Sequence, residues 1–301
     1  MSISDTKPAS ITIRRNYPDR SIFSVRGTDS IIIRDGTSVS GGNLAAEFKQ
    51  DTAVAVPELT AGTDYYIRLN AMNEPVATPA TELPGDDVIG GFHFAPGGNA
   101  PARAGGDTTP AINPYSCWDA GFRPACPDPR GMALVERDGL RFWCDIYFLG
   151  VDHIAKGTSR FGEEIADGRA LPAAIAGNGK FNACDFPTVQ AIYAHHGKGL
   201  LTYDEFRAAA YGVTERSSAD KDPKSTGIDA QRSSRFGIMQ ATGNMWAWGT
   251  DGDPDDPRPS LFGGSWILGG DSGSRCADLG PWPGVSAGSI SARGRSDHLA
   301  S

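Results

Sequence analysis

The sequence predicts an α+β fold in two parts, a small all-β domain over residues 1–84 and a mixed domain over residues 85–301. Three observations predict it. The first part holds only short β-branched and aromatic runs. Both helix signals fall between residues 185 and 212. Almost everything beyond them is glycine-rich loop and short strand, punctuated by Trp246, Trp248, Trp266 and Trp282.

Taken in order, Ile11–Ile13, Ile22–Val25, Ile31–Ile33, Ala53–Val56 and Tyr65–Leu69 read as strands. Asp35-Gly36, Gly41-Gly42 and Ala61-Gly62 supply turn signals between them. The proline-interrupted stretch from Glu74 to Gly85 reads as a linker to the second domain. There, Gly90–Phe94 and Leu140–Leu149 are strand-like. A helix is expected over Pro187–His195, with Asp185 or Phe186 near its cap. A second starts at Thr202, where a hydroxyl at the cap and the Glu205 carboxylate three residues on can each satisfy an orphan amide. Gly212 is expected to close it.

Composition excludes several function classes. The formal charge of the 301 residues is −8 and no run of Lys or Arg occurs, against the clustered cations that backbone-driven nucleic-acid binding needs. No apolar run approaches bilayer-spanning length, so no membrane insertion is expected. The polar opening residues lack the apolar stretch of a secretory leader. The five cysteines, Cys117, Cys126, Cys144, Cys184 and Cys276, form no CxxC pair and read as buried free thiols, with a Cys117–Cys126 bridge as the alternative.

Four segments appear in family order. Leu200–Ala210, Gly243-Asn244-Met245-Trp246-Ala247-Trp248, Phe262-Gly263-Gly264-Ser265-Trp266 and Ala292-Arg293-Gly294 resemble the motifs of the formylglycine-generating-enzyme branch of the C-type lectin fold. The tail resembles a narrower group more closely. Gly263-Gly264-Ser265-Trp266, Ser272-Gly273-Ser274-Arg275 and Ala292-Arg293-Gly294-Arg295-Ser296-Asp297-His298-Leu299 are similar to the end of diversity-generating-retroelement variable proteins, phage tropism determinants among them. Gly90–Pro96 and Asp128–Met132 extend this resemblance over roughly residues 88–299. It implies a C-type-lectin-like domain at 85–301 with a variable region about 262–299, behind an N-terminal domain for attachment or assembly.

In such proteins adenines of AAC or AAT codons are rewritten, which makes Trp, Met, Lys, Gln and Glu unreachable at diversified sites. Residues 267–291 contain none of these except Trp282, which is therefore expected as fixed framework. Framework is also expected at Gly263, Gly264, Trp266, Arg275, Arg293, Gly294, Asp297 and His298: glycines for unusual backbone, an aromatic anchor, and guanidiniums to tie loop carbonyls. Ile267, Leu268, Asp271, Asp278, Gly280, Val285, Ala287, Ser289 and Ile290 are the expected ligand-binding positions. The implied ligand is a macromolecule, a cell-surface protein; a homotrimer is implied by analogy. A phage virion is the implied setting, with a bacterial variable protein in the cytoplasm as the alternative.

Catalytic and metal readings fare worse. Gly270–Ser274 resembles the nucleophile turn of trypsin-like proteases, but His195 and His196 lie at the end of a predicted helix, outside any barrel. The oxidase chemistry of the formylglycine branch needs two cysteines where Leu268 and Gly273 stand, so no enzyme is expected. Asp251, Asp253, Asp255 and Asp256 read as a solvated acidic turn, an irregular structural Ca²⁺ site being the alternative; residue 262, where an EF-hand wants a carboxylate, is Phe. The sugar-binding calcium motifs of true lectins are absent, and no cofactor is expected. His93 and His153 lack metal-ligand spacing, and His298 reads as a hydrogen-bonded framework residue.

Overall fold

Antiparallel pairing of short strands organises the computed structural model, which describes residues 11–41, 44–253 and 255–299. The opening ten residues, Gly42 of one turn signal and Pro254 of the acidic turn lie outside the described residues. Eight strands fill the first part: β1 (Thr12–Arg14), β2 (Phe23–Arg26), β3 (Ser30–Ile33), β4 (Thr37–Gly41), β5 (Leu44–Phe48), β6 (Thr52–Ala53), β7 (Thr63–Leu69) and β8 (Pro75–Pro79). Two three-stranded sheets, ordered β1-β4-β5 and β2-β3-β6, stand beside a sheet that continues into β9 (Gly90–Ala95), β10 (Ala111–Ile112) and β11 (Trp118–Asp119). That sheet runs β10-β9-β7-β8, with β11 also on β9.

Two expectations change here. The stretch read as a linker contains β8, which pairs with β7 from Tyr65↔Pro79 to Leu69↔Pro75. Its prolines sit at the two ends of an edge strand, where a missing N–H leaves no ladder bond unmade. Nor does packing break at residue 84. One apolar core runs from Ile22, Phe23 and Ile31 through Tyr65 and Ile67 to Phe92, Phe94, Ile112 and Cys117.

The second part adds β12 (Met132–Arg137), β13 (Leu140–Asp145), α1 (His153–Lys156), α2 (Phe186–His195), β14 (Gly199–Leu200), α3 (Tyr203–Ala209), β15 (Trp246–Thr250), β16 (Pro259–Phe262), β17 (Ala277–Asp278), β18 (Ile290–Ala292) and β19 (Gly294–Asp297). Asp138 and Gly139, both at positive φ, form the two-residue turn that joins β12 to β13. Asp185 caps α2 by accepting from Thr188 N. Thr202 and Glu205 form the reciprocal capping box that starts α3. The helix ends earlier than expected, at an Ala210 cap, and Gly212 turns the chain two residues later at φ +99°.

Two four-stranded sheets position the tail. In β12-β13-β19-β14 the C-terminal strand is an interior strand. In β17-β16-β15-β18 the tail supplies both edges, β18 lying parallel to β15. The chain between Gly263 and Ser289 thus starts from one sheet edge and returns at the other, so its ends are fixed while its middle is free to loop.

Candidate ligand-binding surface

The frame of the tail is built from main chain first. Gly263 and Gly264 take φ of +89° and +74°, a region that side-chain-bearing residues rarely adopt. Gly263 N donates to Cys276 O (2.8 Å), and its carbonyl accepts from Gly243 N (3.0 Å) and Gly273 N (3.2 Å). A Cβ on Gly264 would sit 2.5 Å from Ser272 Oγ. Trp266 N donates to Asn244 O (3.0 Å), and its half-buried ring packs on Phe148, Ile165, Met245 and Ala247.

Arg293 is the strongest clamp. Only 2% exposed, it donates from Nη1 to Asp145 O (2.8 Å) and Ile146 O (2.5 Å) and from Nη2 to Met239 O (2.7 Å). Its guanidinium also lies 4.5 Å from the Phe148 ring centroid. At Gly294 a Cβ would run into the Tyr193 ring, while the amide donates to Asp145 Oδ2 (3.3 Å). His298 accepts at Nδ1 from Trp143 Nε1 (2.9 Å) and stacks on that indole. Asp297 is exposed and pairs with Arg295 at 2.6 Å; its part in the frame is the carbonyl, which accepts from Ala125 N.

Between these fixed points the expected ligand-binding residues divide. Ile267 (62% exposed), Asp271, Asp278 and Gly280 face solvent, and Leu268, Val285, Ala287 and Ser289 are half-buried. Ile290 does not belong with them. It is 5% exposed in β18, packed among Ile192, Trp248 and Leu261. Arg275 departs from its expected role in the opposite sense. It is exposed, and among the described residues its guanidinium ties no carbonyl; its own carbonyl accepts from Tyr203 Oη (3.4 Å).

Two large apolar side chains on this surface were not among the expected display positions. Leu279 is 51% exposed and Trp282, expected as framework, is 71% exposed. The Trp282 ring rests over Gly284, where a Cβ would come within 2.8 Å of it. Its loop is tied to the start of α2: Phe186 N donates to Pro283 O (3.0 Å) and Cys184 N to Ser286 Oγ (2.9 Å). An indole between two prolines in a polar loop was the available signal. A codon rule says which residues cannot be rewritten, not where they point.

The catalytic and metal candidates fall into structural places. Ser272 is buried and donates to Ser265 O (3.1 Å), while His196 Nε2 lies 3.0 Å from His153 Nδ1. His93 sits in a buried chain, 3.2 Å from Asp64 and 2.9 Å from Tyr147 Oη. Burial pushes the thiols of Cys117, Cys144 and Cys184 up to about 12, and all five cysteines are free. In the acidic turn Asp251 accepts from Asp253 N and Arg258 N, and Asp253 from Asp255 N and Asp256 N. These carboxylates close their own turn. Among the described residues no group of three or more His, Cys, Asp or Glu is placed to hold a metal ion, and no helix is long and apolar enough to cross a membrane.

The His298 contact makes the frame acid-sensitive. Burial, helped by the Arg141 and Arg15 charges, lowers its imidazole from 6.5 to about 4. The unfolded chain then takes up this proton first as pH falls, so stability contributed by neutral His298 is full above pH 6.5 and is lost as pH falls towards 4. Melting temperature followed over that range is expected to drop less steeply in His298→Asn than in the unaltered chain. Equal slopes would show that His298 has no part in it.

Comparison with known proteins agrees with this architecture. A family model for the Mtd second domain matches residues 21–119, the span of the core that crosses residue 84. A tail fiber receptor-binding protein of Bordetella phage BPP-1 is 38% identical over 318 residues, covering 92% of this chain and 82% of that protein. The solved I1 variant of the major tropism determinant superposes with a TM-score of 0.88 at 36% identity, covering 96% of this chain and 86% of that one. The U1 variant gives 0.87 at 37% identity, with the same coverage. The α+β chain shares the C-type lectin fold of these structures. Its length, its fold and its framed tail are thus matched together, and the chain belongs to the major tropism determinant (Mtd) family.

Proposed function

We propose that this protein is a non-catalytic receptor-binding protein of a phage tail, which presents a retroelement-diversified set of side chains to a cell-surface protein. The observation that carries the reading is the division of burial within the tail. Gly263, Gly264, Arg293 and Gly294 are buried and locked, while Ile267, Asp271, Asp278 and Gly280 between them are exposed. Such an arrangement lets side chains change without changing the backbone that holds them. Trp282 and Leu279 supply the apolar area that a protein partner can cover, and a rigid tryptophan suits an interface anchor. The absence of thiols at 268 and 273 and the structural engagement of Ser272 support a role in binding rather than chemistry.

In this reading the N-terminal β domain serves attachment or assembly in the virion. A homotrimer would add avidity to individually weak sites. Exchange of residues 267–289 for the same stretch of a sibling protein tests the proposal. The labelled chimera is expected to adsorb to a different set of intact bacterial cells, with a melting temperature within about 2 °C of the parent. Unchanged cell preference would count against it.

A further inference from the structure

The exposed Arg275 has no framework work to do, and its surroundings suggest another use. It lines a depression of about 420 Å³ together with Arg103 and Arg216, walled on one side by Gly270–Gly273 of the tail. A smaller recess of about 60 Å³ shares Arg103 and Arg275 and adds Arg137 and Arg207. Five guanidiniums therefore converge on one groove of a chain whose formal charge is −8.

The local carboxylates do not neutralise it. Glu215 is engaged by Ser274, accepting from its amide (3.0 Å) and its hydroxyl. Asp138 pairs with Arg137, and Asp204 with Arg207. Among the described residues Arg103, Arg216 and Arg275 have no carboxylate within ion-pair distance, and the exposed Asp271 stands at the rim.

Backbone geometry adds an independent observation. Arg216 sits at φ +56°, where glycine or asparagine is at ease and a long side chain is strained. Strain kept at an exposed position calls for a compensating use of that side chain. Arg103 and Arg137 are meanwhile pre-positioned, lying 5.2 and 3.5 Å from the centroid of the Tyr211 ring. Little order remains to be imposed when an anion arrives.

We infer that this groove is an anion-binding subsite beside the variable surface, and that it takes the carboxylates of an acidic peptide segment. Guanidinium forks match carboxylate oxygens two to two. The unpaired Asp271 at the rim disfavours a phosphate or sulfate, which carries more charge than one carboxylate at the same place. The inference deepens the receptor-binding reading and rests on it, yet the two fail separately. Arg103 and Arg216 lie outside the exchanged segment, and peptide capture needs no cell.

Fluorescence anisotropy of a fluorescein-labelled hexaglutamate peptide with the full chain, at low ionic strength, is the test. Binding is expected, weakened by added salt and by about tenfold or more in Arg216→Gly/Arg275→Ala. Asp271→Asn should tighten it, and Lys49→Ala, an exposed change on β5's flank, should leave it as it was. Arg216→Gly alone is expected to keep or raise the melting temperature, so that weaker binding cannot be laid to unfolding. A peptide that does not bind, or that binds the double variant equally well, overturns the proposal. So does stronger competition by inorganic phosphate or a sulfated polysaccharide than by free hexaglutamate.

Discussion

Asp145→Ala is expected to lose about 3–5 kcal/mol of stability, read as a shift of the denaturant midpoint. Asp145 is fully buried and accepts from Lys198 Nζ (2.6 Å), Thr158 Oγ1 (2.8 Å) and the Gly294 amide. Burial alone would lower the Lys198 ammonium; the adjoining carboxylate more than offsets this and holds it above its ordinary value. Removing the carboxylate leaves a buried cation with only the Thr158 hydroxyl. It also frees the amide of Gly294, the first residue of β19, from the centre of the domain. The double change Asp145→Ala/Lys198→Met removes both charges and should recover much of the loss. A single variant as stable as its parent would mean the pair is not buried as described.

Arg293→Ala is expected to cost about 3–5 kcal/mol, because three buried carbonyls lose a charged donor and the Phe148 face loses its cover. Arg275→Ala, eighteen residues earlier in the same tail, should stay within about 0.5 kcal/mol. Urea unfolding of both variants checks the contrast. Equal effects would show that burial does not separate frame from display in this segment.

Local chemistry made much of the fold legible. A hydroxyl at 202 and a carboxylate at 205 can satisfy each other's amides only at a helix start, and the structure contains that box. The β12–β13 hairpin was equally readable, since Asp138-Gly139 between apolar alternations specifies such a turn, but its first strand was not among the expectations. Strands β4 and β5 are built largely of Ser, Ala and Gly, whose weak β preference is overridden by pairing with neighbours. The prolines of β8 punctuate a sequence in the way linkers do, and only knowledge of the edge position removes the conflict.

The surface was harder to read for a reason of range. Ile267 and Ile290 both sit among small residues, and nothing nearby says that one faces solvent while the other lies under α2. Arg275 and Arg293 present the same difficulty. What distinguishes them is Asp145, Ile146 and Met239, far away in the chain and adjacent in space. Glycines announced the frame because positive φ is a local property. Direction of display is a property of the assembled core.

The central claim is that the main chain from Gly263 to His298 is held by groups other than those it presents. Calorimetric melting of the fourfold variant Ile267→Tyr, Asp271→Tyr, Asp278→Tyr and Gly280→Ser tests this most directly. A midpoint within about 3 °C of the parent is predicted, since each change meets open solvent. A fall of about 10 °C or more would contradict the claim, because those side chains would then be part of what holds the tail together.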